Sequence, residues 1–386
     1  MMPSSAPPDT WRQVRLGSIG SFSKGSGIKK DEASSGLIPA VRYGELYTDH
    51  AEILKKHRSF IEEGVAQRST RLRKGDILFA GSGETKEEIG KCTGFFGEYA
   101  AYAGGDIIIF RSQGADPCFL SYALNSSPVI RQKAQRAQGD AVVHIYANSL
   151  ATIRVALPPI PEQQAIAEAL SDADGLVEGL ERLIEKKRRI KQGAMQDLLT
   201  AKRRLPGFSG EWVERKLGEI GYVKTGLTYS PDNVAKYGTL VLRSSNIQNE
   251  RLAFENNVFV NVTVSEEATV RDGDLLICVR NGSRRLIGKT ARIDARADGM
   301  AFGAFMSAFR SDLNDFLIWC FQSNVVQRQI EENLGATINQ ITNKTLKSLK
   351  VQLPLDDDER HEICRVLREM DAEVTALETR LQKARA

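Results

Sequence analysis

The chain has 386 residues, 41% of them hydrophobic, and a formal net charge of +4; this is long for a single domain, supplies a core for each of two globular units, and is too mildly basic to establish a nucleic-acid partner by charge alone. Five scattered cysteines, Cys92, Cys118, Cys278, Cys320 and Cys364, never stand in a C-x-x-C pair, which speaks against a disulfide framework and a zinc site and implies a reducing, cytoplasmic setting. No apolar run approaches the roughly 18 residues of a membrane span.

Residues 1–10 read as a polar, proline-bearing tail that is expected to be disordered. Order is expected from Trp11, where the first of two similar segments begins; the second begins at Trp212. Trp11, Leu16, Gly17, Ile19 and Gly20 match Trp212, Leu217, Gly218, Ile220 and Gly221. The match continues through Val41-Arg42 and Leu242-Arg243, Gly75-Asp76 and Gly273-Asp274, Ile89-Gly90-Lys91 and Ile287-Gly288-Lys289, and Phe110-Arg111-Ser112 and Phe309-Arg310-Ser311. It ends in a block without gaps, 139–158 against 335–354. The protein is therefore an internal duplication.

Within each copy the short apolar runs at 76–80, 106–110 and 152–158, and at 274–279 and 349–354, have the length and bounding Gly, Asp and Pro of strands. Residues 117–137 and 315–333 read as helices. Each copy is a mixed α/β unit.

Residues 161–200 carry the longest helical periodicity in the chain. Ile166, Leu170, Ala173, Val177, Leu180 and Ile184 alternate in spacings of four and three, the seam of a coiled coil. Ile363, Leu367, Met370, Val374, Leu377 and Leu381 repeat that alternation near the C-terminus. The expected order is a tail (1–10), a first recognition domain (11–158), a central helix (159–200), a second domain (201–354) and a distal helix (355–386). A distal helix that packs on the central one must run back antiparallel, giving pseudo-two-fold symmetry and a spacer roughly 60 Å long at 1.5 Å per residue. Two heads so separated suit features on DNA a helical turn, roughly 34 Å, apart.

Signals for catalysis are absent. No G-x-G-x-x-G turn occurs, nor a proline-pair segment of the kind that grips a flipped base. None of the four histidines, His50, His57, His144 and His361, has a histidine at its repeat-equivalent position. The segment 282–290 ends like a P-loop, but Ser283 stands where that spacing needs glycine. Neither cofactor nor metal is expected.

Residues that read DNA are sought where the copies share a frame and differ in polar content, because two unlike half-sites need unlike readers on one scaffold. The loop after the Gly-Asp strand supplies Ser82, Thr85 and Lys86 in the first copy and Arg280, Asn281, Ser283, Arg284 and Arg285 in the second. The segment after the paired arginines supplies Arg42 and Tyr43, against Arg243, Ser244 and Asn246. The approach to the last strand supplies His144, Tyr146 and Asn148, against Gln340, Thr342, Asn343 and Lys344. Basic runs at 186–189 and 202–204 are further candidates for phosphate contact. Ordinary turns, caps and solvated helix faces would account for the same residue types.

The chain after its tail resembles the specificity subunit of type I restriction-modification systems. The resemblance is carried by W-x4-L-G-x-I at each repeat start, K-G-D-I-L at 74–78, LPPIPEQQAIA at 157–167, KQGAMQDLLT at 191–200 and RLPGF at 204–208. The second helix start departs from the pattern, with Glu359-Arg360 where the family has Glu-Gln. What the resemblance implies is a non-catalytic subunit with two target-recognition domains joined by an antiparallel coiled coil. It implies binding to a split double-stranded DNA sequence, two copies of an adenine methyltransferase subunit as partners, and restriction subunits in the same assembly where the system has them. A coiled-coil scaffold without DNA, or a regulator that binds DNA without a methyltransferase, is the alternative.

Overall fold

The computed structural model describes residues 10–335 and 339–385; of the expected tail only Thr10 falls within the described residues, and 336–338 and Ala386 lie outside them. The chain divides into two compact units, Met1–Leu176 and Val177–Ala386, each of mixed α/β structure. The division falls inside the central helix, so that helix contributes residues to both.

The first unit is built on a four-stranded antiparallel sheet in which Ile107–Ser112 lies between Gly20–Lys24 and Asp76–Ala80, with Cys92–Phe95 at the edge. Its central strands carry unbroken apolar runs, 107–110 and 77–80, because both faces are covered there. Alternation sends Ile77, Phe79, Ile108 and Phe110 into one core cluster, and Leu78, Ala80, Ile107 and Ile109 into another. The second unit repeats the plan. Met306–Arg310 lies between Tyr222–Thr225 and Leu275–Cys278, with Leu275 and Ile277 facing one core and Leu276 and Cys278 the other.

The repeated motifs have a structural cause. Gly75 and Gly273 sit at φ +88° and +90°, a turn conformation that glycine adopts without strain. The next residue, Asp76 or Asp274, is buried and accepts the backbone N–H of Arg73 or Arg271 at 2.8 Å. The same carboxylates take the guanidinium of Arg111 and Arg310 at 2.7 Å. Gly-Asp and Phe-Arg-Ser are thus two halves of one buried ion pair, made once per unit.

The segments expected as single helices are each two. The first is Pro117–Ala123 and Ser127–Gln135, the second Asn314–Gln322 and Asn324–Asn333. Pro128 starts the new helix in one case, and in the other Ser323 caps it by accepting the N–H of Val325.

The central helix runs Ile160–Leu198 and the distal helix Asp357–Arg385. Both starts are pinned by the same device. Trp11 donates its indole N–H to Glu162 at 3.1 Å, and Trp212 donates to Glu359 at 3.2 Å. Gln163 donates to the carbonyl of Pro158 at 2.7 Å, and Arg360 donates to that of Pro354. The Arg360 departure therefore keeps the hydrogen bond of the residue it replaces.

Within the second unit the two helices pack antiparallel. Arg188 pairs with Glu378 at 2.6 Å and Lys191 with Asp371 at 2.7 Å, while Glu181, nearer the start of the segment, meets Arg385. Leu180, Ile184, Val374 and Leu377 are buried between them, with Leu381 partly so. The rest of the expected stripe is corrected. Ile363, Leu367 and Met370 pack into the core of the second unit with Met195 and Leu198, and Ile166 packs into that of the first. Val177 is half-buried and Leu170 is exposed. One seven-residue rhythm thus serves both domain packing and helix pairing.

Candidate nucleic-acid interface

In each unit the three sequence-separated candidates come together at one corner, where the strand after Gly-Asp ends. In the first unit Ser82–Gly83 continues past that strand and pairs antiparallel with Val143–His144. Ser82 shares a hydrogen bond of 2.9 Å with His144 Nδ1, and the His144 ring stacks on Tyr146 with centroids 6.3 Å apart. The turn after Arg42 joins from the side, because Tyr47 donates its hydroxyl to the Ser82 carbonyl at 3.0 Å. Burial, above all, raises the Tyr47 pKa, so this hydroxyl stays protonated as a donor. Ser82, His144, Tyr146 and Asn148 then line a cavity of about 400 Å³ with Lys24 at its edge.

The second unit closes the same corner with other side chains. Arg280 bridges to Gln340, and the backbone N–H of Asn281 donates to Asn339 at 3.2 Å. Asn281 reaches the turn after Arg243 by donating its amide to Ser244 Oγ at 3.1 Å. Arg243 and Ser244 line a cavity of about 600 Å³ with Tyr229, Val258 and Phe305. The Arg280 guanidinium lies over the Phe305 ring at 4.9 Å, an arrangement that offers a cation and an aromatic face on one surface.

Several candidates take structural places. Asn246 is fully buried; its side-chain oxygen accepts the N–H of Arg243 at 3.0 Å, and its amide donates to Ala253 and Asn257. No edge of it is left for a base, so the expected reader is a turn-former. Asn343 is committed to Ser307 and Thr225, and Thr342 caps the short helix Asn343–Ser348. Tyr43 packs against a core cluster, and Arg42 beside it is half-buried. Ser283, Arg285 and Lys344 are exposed, as is Thr85, which makes only a long 3.5 Å hydrogen bond to Glu88. Lys86 meets Asp140 at 3.7 Å on the surface, and Arg284 donates to the Glu331 carbonyl at 3.3 Å.

The basic runs are largely absorbed by carboxylates. Lys187 pairs with Glu373 and Arg189 with Glu185. Arg204 lies internally, with two nitrogens on the buried Glu359 at 2.6 and 2.7 Å and its guanidinium 5.6 Å from the Trp212 ring. This ion pair gives Arg204 a structural role in the second unit.

No pattern of residues pointed to Tyr47, Asn339 or Phe305. For the lysines of the Ile-Gly-Lys motif the repeat itself was the signal: Lys91 donates to the Tyr47 carbonyl at 3.3 Å, and Lys289 to that of Ser244 at a long 3.5 Å. Burial pushes the Cys278 thiol near this corner up to about 11, so it is a packing residue without thiolate chemistry. Among the described residues no group of three or more His, Cys, Asp or Glu could hold a metal ion, and no helix is long and apolar enough to cross a membrane.

Comparison with known proteins places both copies in one family. The profile described as "Type I restriction modification DNA specificity domain" matches twice, over residues 8–187 and 209–384. Two specificity subunits from Methanocaldococcus jannaschii are similar along much of their length. The subunit of type I restriction enzyme MjaVIII is 22% identical over 376 residues, covering 90% of this chain and 83% of its own. The putative MjaX subunit is 25% identical over 312 residues, covering 74% and 69%. In fold the chain is similar to a crystal structure of the type I restriction-modification S subunit from M. genitalium, with a TM-score of 0.64 at 15% identity, over 98% of this chain and 94% of that one.

Proposed function

The chain belongs to the type I restriction-modification DNA specificity family, matched by both of its repeats, and from that membership we propose that it recognises an asymmetric, two-part target in double-stranded DNA, one half per repeat. Members of this family recognise DNA sequence and carry out no catalysis of their own. The finer reading is that residues 11–158 and 201–354 each read one half-site. In the cytoplasm the subunit then positions two copies of an adenine methyltransferase subunit, with restriction subunits where the system has them.

The observation that carries the proposal is the pair of equivalent corners with unlike surfaces. The first offers His144 and Tyr146, with the buried Ser82 holding the His144 ring; the second offers Arg243, Ser244, Arg280 and Asn281. Arginine suits guanine edges, and asparagine suits adenine, whereas a stacked His-Tyr pair presents weaker donors and an aromatic face. A common frame holds the two surfaces against equivalent parts of the duplex, so the unlike side chains select different bases.

Co-expression with an adenine methyltransferase subunit and mapping of methylated adenines across the host genome tests this. A split motif with two different halves and a fixed gap is expected. A stable complex that leaves no methylated motif would remove the target-reading proposal in favour of a scaffold.

A further inference from the structure

Resting on that DNA-reading proposal, we propose that each unit carries an apolar wedge, Leu37 in the first and Tyr237 in the second, that inserts against the bases of the half-site its unit reads. Among the described residues these are the two most exposed large hydrophobic side chains, at 91% and 84%; the next reaches 56%. A single exposed apolar residue is ordinary. Two such residues at the same turn of a duplicated fold, beyond all others in exposure, are not.

The turn is the one that leads into the strand Ile38–Val41 or Thr239–Leu242. In the first unit the chain passes over the strand Ser59–Ile61: Ser34 bridges Phe60 on one side, and Ile38 pairs with Ile61 on the other. In the second it passes over Phe259–Val260, which pairs with Val234–Ala235 on one side and with Thr239 and Leu240 on the other. A glycine stands beside the apolar residue in both. A Cβ at Gly36 would lie 2.3 Å from the Ile61 carbonyl oxygen, and one at Gly238 would lie 2.4 Å from that of Val260. The glycine thus lets the backbone press onto the crossed strand. With one side of the turn flush against the sheet, its bulky neighbour can only point outward.

A side chain held this way has lost no contact within the fold that would explain its type, and it gains free energy only when another surface covers it. Exposed Lys236 adjoins Tyr237, and exposed Lys30 lies in the loop that leads to Leu37. At Tyr237 an aromatic tip adjoins a cation, which matches duplex DNA, where lysine meets phosphate and the tip enters between base steps; Leu37 offers the apolar tip, which enters a base step or meets a thymine methyl. The strand that starts at the wedge turn, Ile38–Val41 or Thr239–Leu242, leads at its far end to Arg42 or Arg243, so a wedge would fix the register in which the loops beyond that strand meet the bases.

The test uses the methyltransferase complex of the full chain and a duplex containing its mapped target. Leu37→Ser and Tyr237→Ser are made singly, with Tyr237→Phe as the conservative partner. Each serine variant is expected to weaken target binding on the order of tenfold, the loss of one stacked or wedged base contact, while co-purification with the methyltransferase is unchanged. Tyr237→Phe is expected to retain binding. With 2-aminopurine placed stepwise along the duplex, fluorescence should rise on binding at one step in each half-site, and each serine variant should abolish the rise in one half only.

Unchanged affinity and unchanged fluorescence in both serine variants, with a wild-type complex that binds its target, would overturn the wedge and leave the DNA-reading proposal standing. Loss of methyltransferase co-purification with normal DNA affinity in the assembled fraction would also overturn it, assigning the tips to the protein partner. A wild-type complex that binds no target would remove both proposals together.

Discussion

Arg204 shows how far residue type can mislead when its partner is distant in sequence. In a run of three basic residues it reads as a phosphate contact, yet it closes on Glu359, whose side chain is wholly buried and also receives the Trp212 indole. A buried carboxylate without its cation is costly, because desolvation is no longer offset by the pair. Arg204→Ala is therefore expected to destabilise the second unit by about 3 kcal/mol. Urea unfolding followed by hydrogen exchange resolved to each unit should show the loss in residues 177–385 and none in the first unit. Lys202→Ala, at a surface contact of 3.8 Å with Asp197, should change stability little. An unchanged urea midpoint in Arg204→Ala would make that arginine a candidate DNA contact again. The same limit explains Asn246: asparagine after a conspicuous arginine suggests adenine reading, and only the backbone fold reveals that its amide is spent on Ala253 and Asn257. Repeat and motif were legible in the residues, whereas burial depends on what the rest of the chain brings beside them.

At the scale of elements, the two long helices were legible within a few residues because 3.6-residue periodicity is a local property. What each part of the stripe packs against was not, since Leu, Ile and Met suit a domain core as well as a helix seam. The structure assigns Leu180, Ile184, Val374 and Leu377 to helix pairing, and Ile363 and Leu367 to the core of the second unit. Leu183, three residues from Leu180, points away and is exposed. Leu180→Ala should cost about 2–3 kcal/mol through lost burial and an unfilled gap. It should raise hydrogen exchange in the distal helix beyond Val374, while Leu183→Ala should leave exchange there as in the wild type. Equal effects of the two substitutions would mean that the buried side of this helix has been misassigned. The broken helices at Ser126–Pro128 and Ser323 follow the complementary rule: a cap or proline inside an apolar run ends a helix even where the periodicity carries on.

For the whole molecule, the proposed two-part target carries a further expectation, that the central helix sets the gap between half-sites. In the first unit the helix is held as far as Asp174, which accepts the Tyr122 hydroxyl at 2.8 Å; in the second, the pairing with the distal helix starts at Leu180. Gly175 and Gly179 lie between these anchors, and a Cβ at either would meet nothing within 4 Å. Seven helix-forming residues inserted after Gly175 would add about 10.5 Å at 1.5 Å per residue and turn the C-terminal remainder of the helix by only about 20°. That extension corresponds to about three base pairs of duplex at roughly 3.4 Å each. The methylated motif of the insertion variant should therefore keep both half-sites and gain about three base pairs between them. Inserting four residues would instead rotate the remainder of the helix by about 40° for about 6 Å of added length, so methylation should fall more steeply than with seven. If the seven-residue variant folds, binds the methyltransferase and still methylates the original motif with its original gap, the central helix does not set the spacing. The gap would then have to come from the partner subunits.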